Sequence, residues 1–294
     1  MWIDRPGVLM RWHQLIVWAS VVSALVVAAP AASAPFGCDT FRATIVGTRG
    51  DDILVGTPGR DVIVGRHGDD LIRGLGGSDE ICGNRGDDIV YSGAGQANFV
   101  LGGPGDDVLV GGPSEVDALL GGDGDDILLG RGGFDSLSGG AGADVLRGGV
   151  GGADLHDGPG DDVVLGGPGQ DGFTPNSDPS GDDVYSSGGG PRDGLDYVCC
   201  GAPVLVDLSL GQTLGGGYGN DRFIGPWDWL AGSASADTLI GDAASNEIFG
   251  MGGDDHIEGR AGNDHLFGED GTDLVDGGDG TDECDGETLL NCEA

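Results

Sequence analysis

A glycine recurs every nine residues through most of this chain, and an aspartate stands five residues after nearly every one of them. Laid out from Gly47, the units read GTRGDDILV, GTPGRDVIV, GRHGDDLIR, GLGGSDEIC and GNRGDDIVY. After a ten-residue unit the series resumes with GGPGDDVLV, and after another with GGDGDDILL, GRGGFDSLS and GGAGADVLR. It becomes irregular beyond Gly148 and fades near Asp171. A second register starts at Gly232 with GSASADTLI and runs to GGDGTDECD. Glycine holds position 1 and usually position 4, aspartate position 6, and an aliphatic residue position 8. Collagen needs a period of three and is excluded.

The period has a direct physical reading. Positions 7 to 9 are long enough for a short β-strand, whose side chains alternate between faces. The residue at position 8 (Leu54, Ile63, Ile72, Ile81, Val90 and onward) then points inward and stacks on its equivalents. Positions 1 to 6 form a tight turn, in which glycine supplies backbone conformations closed to other residues. Two nines make one turn of a flattened solenoid, so strands of alternate units stack into two parallel sheets. The position-6 aspartates of successive turns fall one strand spacing apart, ~4.8 Å. Bare carboxylates at that distance repel. A hard divalent cation between them converts the repulsion into cohesion, because calcium accepts carboxylates and turn carbonyls together.

Composition agrees. The chain has 294 residues, 64 of them glycine, and a formal net charge of −37. Such a chain is disordered unless bound cations neutralise the acids and a repeat stacks the aliphatics. A flexible acidic linker is the bland alternative, and it predicts no preference for aliphatics at position 8. All 13 basic residues are arginine and form no patch that could meet phosphates, which argues against nucleic acid and anionic membranes as partners.

The repeat resembles the calcium-binding nonapeptide G-G-x-G-x-D-x-U-x of haemolysin-type RTX proteins. The resemblance covers most of the chain after residue 46. Residues 204–250 are similar to the longer irregular coil that precedes the last repeats in many members. It implies an all-β fold, a right-handed parallel β-roll, with Ca2+ between successive same-side turns held by position-6 aspartates and backbone carbonyls. Carried over by position, the ligands in the first block are Asp52, Asp61, Asp70, Asp79, Asp88, Asp107, Asp126, Asp135, Asp144, Asp162 and Asp171. Asp117 and Asp154 sit in shifted units. In the second block they are Asp237, Asp255, Asp264, Asp273 and Asp282. Asn98 and Asn246 replace the acid in their units and leave weaker sites.

The first 34 residues differ. Arg5 and Arg11 precede the apolar run LIVWASVVSALVVAA and the small-residue stretch PAASAP, the layout of a secretory signal peptide. A retained anchor is the alternative; no second apolar segment follows, so no membrane span is expected in the mature chain. Six cysteines suit an oxidising, extracellular compartment. Cys38–Cys82 and Cys284–Cys292 are the favoured pairs, clamping the two ends; Cys199 and Cys200 are left unassigned. The organisation expected is a leader (1–34), an N-terminal cap (35–46), a first repeat block (47–171), an irregular loop and coil (172–231), a second block (232–286) and a C-terminal cap (287–294).

No catalytic constellation is visible. The acids frequent at position 5 (Asp51, Asp69, Asp87, Asp106, Asp125, Asp161, Asp182, Asp254) are expected to face solvent rather than form dyads. RGD at 49–51 and 85–87 arises whenever arginine fills position 3. His256 and His265 fall on opposite sheets and make no metal pair. Trp227 and Trp229 could share a strand face and stack on a sugar ring, though packing of the coil is the commoner use of such a cluster. The expectation is a secreted, calcium-folded repeat protein with a structural or adhesive role and no enzymatic activity. The partner is unnamed: a cell surface, a glycan or a protein. A binding module or, more remotely, a hydrolase site in 172–231 is the alternative.

Overall fold

Each nine-residue unit delivers a short strand directly after its aspartate: Ile53–Val55 after Asp52, Leu71–Arg73 after Asp70, Ile89–Tyr91 after Asp88. The computed structural model describes residues 42–113, 116–176, 181–198, 201–216 and 219–292, with backbone alone at 215 and 216. The expected leader and most of the N-terminal cap, together with Cys199 and Cys200, lie outside the described residues.

Strands pair in parallel with a register of two units, Ile53 opposite Leu71 and Ile63 opposite Ile81, so two nines make one turn. The first face stacks Ile45, Ile63, Ile81, Val100, Leu119, Leu137, Leu155, Phe173, Leu195, Leu230, Ile248, Leu266 and Cys284 in unbroken register. The second face stacks Leu54, Ile72, Val90, Leu109, Leu128, Leu146, Val164, Tyr185 and Phe223. It then resumes with Val206, Leu239, Ile257, Val275 and Leu289. Between those two runs, Gln212–Gly216 pairs antiparallel with both Val204–Asp207 and Arg222–Ile224. The fold is thus a parallel β-solenoid with one antiparallel insertion on its second face.

The position-8 residues fill the space between the faces, and from Ile63 to Val275 they are buried. Each is worth ~1.5–3 kcal/mol relative to exposure, and the ordering entropy of the turns opposes the sum. Position-4 glycines let the turns stack closely. At Gly68 the backbone adopts φ 104°, and an added Cβ would stand 2.5 Å from the carbonyl carbon of Gly50 in the turn before. No side chain fits there.

Within residues 172–231, where an irregular loop and coil are expected, the described residues include regular strands. Asp171–Thr174, Val184–Ser186, Gly194–Asp196 and Trp229–Ala231 continue the ladders, Phe173 opposite Leu195 and Leu195 opposite Leu230. The period is hidden because aromatic rings replace the aliphatics. Phe173 meets Trp227 edge-on with ring centroids 5.0 Å apart, and Trp227 meets Phe223 at 6.1 Å. The turns between these strands also vary in length, lifting the register from 18 to 22 residues at Asp171 and Asp193. Cys284, at position 8 of the last regular unit, and Cys292 beyond it form a disulfide, as expected. Cys82 is also disulfide-bonded; its expected partner Cys38 lies outside the described residues. Among the described residues no helix is long and apolar enough to cross a membrane.

Candidate calcium sites

Position 6 is the last residue before each strand, so its side chain lies at the edge of the core, and the stacking register places equivalent aspartates over one another. The backbone N–H of each donates to Oδ1 of the next. Asp70 donates to Asp88 (2.7 Å), Asp88 to Asp107 (2.7 Å), Asp107 to Asp126 (2.7 Å), Asp126 to Asp144 (2.8 Å) and Asp144 to Asp162 (2.7 Å). The other face runs from Asp61 to Asp79 (2.9 Å) and from Asp117 to Asp135 (2.8 Å), and the C-terminal turns repeat the pattern from Asp237 to Asp255 and Asp264 to Asp282.

One oxygen of nearly every one of these carboxylates is thereby used and the other is not; at Asp171 both are without a partner. Oδ2 of Asp70, Asp79, Asp88, Asp107, Asp126, Asp135, Asp144, Asp162, Asp171, Asp193, Asp255, Asp264, Asp273 and Asp282 is buried without a hydrogen-bond partner. A buried, unpaired carboxylate oxygen is costly, and one such atom per turn requires a common explanation. The position-1 glycine shows where those oxygens point. A Cβ built on Gly130 would stand 2.6 Å from Asp135 Oδ2 and 2.7 Å from the carbonyl oxygen of Gly148, one turn on. The carboxylate and the next turn's carbonyl therefore converge on a small space that only glycine leaves open. An all-oxygen, anionic donor set of this kind suits Ca2+, which supplies the positive charge that the columns lack.

The exceptions follow a rule. Asp61, Asp117 and Asp237 are preceded one turn earlier by Thr44, Asn98 and Val204, none of which carries an acid. In these units Oδ2 is closed by the turn's own second residue: the N–H of Thr57 donates to Asp61 (2.6 Å), that of Gly112 to Asp117 (2.5 Å) and that of Ser233 to Asp237 (2.6 Å). Asp52 takes the N–H of Thr48 in the same way. Orphaned oxygens thus fall mostly where two acid-bearing turns stack. Asp171 and Asp264, which follow Ala153 and Asn246, are orphaned without an acid before them. Asn98 does more than lower the charge, since its Nδ2 donates to Asp117 Oδ1 at 2.8 Å and replaces a cation with a proton.

Burial raises most of the column acids, Asp237 among them despite its closed Oδ2, and Asp61 is an exception. The Thr57 N–H, helped by the Thr57 and Thr44 hydroxyls, holds Asp61 below the usual carboxylate range. Burial pushes Asp107 and Asp162 up to about 8, and Asp88, Asp126, Asp135 and Asp171 up to about 7, with neighbouring acids adding to the effect in each column. In the absence of a cation these groups resist ionisation.

Of the residues expected from sequence, Asp154 is misplaced. Ala153 occupies the column position between Asp135 and Asp171, and Asp154 lies one residue on, beside Ser136 and Gly172. The shifted unit GGVGGADLH moved the acid by one, which in a strand turns it to the opposite face. Sequence reasoning missed Asp183, Asp193 and Asp221, all buried, which carry the columns through the supposed hinge: Asp162 donates to Asp183 (2.8 Å), Asp183 to Asp221 (3.1 Å) and Asp171 to Asp193 (3.0 Å). A search for aspartate two residues before an aromatic residue, without a fixed period, would have found Asp183 and Asp221, which precede Tyr185 and Phe223.

The position-5 acids form a second, exposed ladder of opposite sense. Asp51 Oδ1 accepts the N–H of Asp69 (3.0 Å), and Asp69 that of Asp87 (3.0 Å). They lace one turn to the next. His256 and His265 sit on opposite faces. Trp227 is buried in the core and unavailable as a platform for a sugar, while Trp229 donates its indole N–H to the Arg192 carbonyl at 3.2 Å.

Comparison with protein families gives one match, the RTX calcium-binding nonapeptide repeat, found at residues 46–81, 68–96, 92–114, 120–153, 154–174, 227–257 and 249–284. No individual curated protein matches the chain. The matched segments span more than half the sequence and coincide with the turns that carry the orphaned carboxylates, and on both grounds the chain belongs to the family of RTX calcium-binding nonapeptide repeat proteins.

Proposed function

We propose that this calcium-binding repeat protein is exported, that Ca2+ binding drives its folding, and that the closed roll serves as a structural or adhesive scaffold rather than an enzyme. The row of buried Oδ2 atoms carries the reading. Ionised and without cations, the columns repel; protonated, they waste the acids that the repeat supplies at a fixed position. Coupled binding and folding follows, since the ligands come from turns far apart in the unfolded chain. Export is supported by the leader-like first 34 residues, the Cys284–Cys292 disulfide and the strongly acidic composition. A surface role is supported by the second face, where Ile53, Ile89, Ile127 and Val163 stand exposed at position 7 in a stripe along the stack.

The deciding experiment is far-UV circular dichroism of residues 35–294, titrated with Ca2+ and reversed with chelator. A cooperative rise in β signal that Mg2+ does not reproduce is expected. A chain equally folded with and without Ca2+ would overturn the coupling. For the scaffold role, calcium-loaded protein is expected to bind a surface or a sister molecule, and replacing Ile53, Ile89 and Ile127 together with serine is expected to abolish that binding.

A further inference from the structure

One unit places an acid where the repeat has glycine at position 1. In DGPGDDVVL, Asp157 stands there, five residues before Asp162. One turn earlier on the same face, a Cβ on Gly139 would collide with Oδ2 of Asp144 and with the carbonyl oxygen of Asp157 itself. By that register, a side chain at residue 157 emerges into the space in which Oδ2 of Asp162 is orphaned. The next turn adds Asp183, whose Oδ1 accepts the N–H of Asp162. Ligand atoms of Asp157, Asp162 and Asp183 lie within 4.8 Å of one another, and all three residues are at most 4% exposed.

We propose that Asp157, Asp162 and Asp183 form a three-carboxylate cation site, different in composition from the repeat sites, that takes Ca2+ more tightly than they do. The inference rests on the reading of the columns as calcium sites and extends it to an acid that the repeat pattern does not supply. The hydrogen bonds present leave the charge uncompensated. Asp157 Oδ1 accepts from the Gly158 N–H (2.8 Å), and its Oδ2 from the Tyr185 hydroxyl and from Asn176 Nδ2 (3.4 Å). The same hydroxyl stands 3.3 Å from Asp183 Oδ2. These donors are neutral, and Asp162 Oδ2, facing the same space, has none. Charge count is what tunes calcium affinity in sites of otherwise similar oxygen donors, so a third carboxylate makes this the tightest site.

Its place gives it a use. Regular spacing ends here: Asp144 and Asp162 are 18 residues apart, Asp162 and Asp183 are 21, and Asp183 and Asp221 are 38. A tighter ion at this turn holds the stack together where the repeat no longer does.

The test uses calcium-depleted full chain titrated with Ca2+ by calorimetry and with Tb3+ by luminescence excited through tyrosine, since the Tyr185 hydroxyl borders the cluster. Wild type is expected to show one ion bound ahead of the rest, with sensitised Tb3+ emission. Asp157→Gly restores the ordinary unit and is expected to weaken that first ion about tenfold or more, with the remaining ions and the calcium-induced β signal retained. Tyr185→Phe is expected to keep the first ion and lose its emission. Unchanged or tighter first-ion binding in D157G, with the other ions intact, would overturn this inference and leave the repeat sites standing. Wild type that binds no Ca2+ would overturn both.

Discussion

Removing calcium at two pH values separates a roll held by cations from one held by its core. Adjacent position-6 carboxylates lie ~4.8 Å apart, and at an effective dielectric of about 20 two unit charges at that distance repel by about 3.5 kcal/mol. The column Asp88, Asp107, Asp126, Asp144 and Asp162 contains four such neighbours, or about 14 kcal/mol if all ionise. That rivals the whole stability of an ordinary domain, about 5–15 kcal/mol, and it excludes a folded, fully ionised, cation-free state. Protonation is the other escape. Asp107 and Asp162 are raised to about 8, and Asp88 and Asp126 to about 7. A carboxyl whose folded pKa exceeds its unfolded one binds more protons when folded, so the stability of the cation-free roll is greatest below about pH 4 and falls as pH rises toward about 8. Calcium reverses the trend, because its ligands must be deprotonated. Metal-stripped protein is therefore expected to show β signal and a cooperative melt near pH 5 and to be largely unfolded near pH 8. Calcium-loaded protein should gain stability across the same interval. Thermal melts followed by circular dichroism, with and without Ca2+, measure both curves. A cation-free melting temperature that is flat or rises from pH 5 to pH 8 would refute the argument.

Four substitutions probe the parts separately. Gly130→Ala needs no unusual φ and fills the space between Asp135 Oδ2 and the Gly148 carbonyl; calorimetry should count about one bound ion fewer, and the acid-folded, cation-free form should also lose stability, because the added Cβ stands 2.7 Å from the Gly148 carbonyl oxygen. Gly86→Ala, at φ 123° and against the backbone of Gly68, should cost about 1–3 kcal/mol of stability with or without Ca2+ in denaturant titrations. Asn98→Asp exchanges the Nδ2 bond to Asp117 for an unbroken run of five acids on the first face, from Asp61 to Asp135, so the melt should drop in chelator and recover in Ca2+. Leu128→Ala, fully buried in the second face, should lose about 2–5 kcal/mol in calcium-loaded protein, and an unchanged denaturation midpoint would contradict the stacking.

The parts of the fold that were legible in the sequence are those where local and global periods agree. Gly, Asp and an aliphatic residue at fixed places in nine gave the strands, the two-unit register and the inward row, because each turn repeats the same backbone problem and solves it with the same residues. Legibility failed where the solution changed residue type. From Phe173 to Trp227 rings take over part of the interior beside Leu195 and Val206, so fewer and more widely spaced residues do the same packing. Asp183, Asp193 and Asp221 kept the column geometry without keeping the spacing. Asp154 shows the converse, a spacing nearly kept and a geometry lost, since one residue in a strand decides between two faces. The position-5 acids were readable as exposed, but their hydrogen bonds to the next turn were not, because they depend on how turns stack and not on any one turn.

The two ladders of aspartates also give the stack a direction, and its ends are built accordingly. Most position-6 Oδ1 atoms are completed by the N–H of the turn before them, so a turn with no acid-bearing predecessor holds a carboxylate with less to share an ion with. At Asp61, Asp117 and Asp237 the turn's own second N–H closes Oδ2 instead, and Thr44 of the turn before donates its hydroxyl to Asp61 Oδ1 at 3.0 Å. At the other end the problem is opposite: the last N–H groups need acceptors. Glu287 supplies one, taking the Asp273 N–H at 2.8 Å from a unit that has lost the nonapeptide pattern, and the Cys284–Cys292 disulfide holds that unit against the core. A stacked repeat that binds ions between turns must end in turns that do not, and here the C-terminal end of the described stack is closed by a side-chain acceptor and a covalent bond.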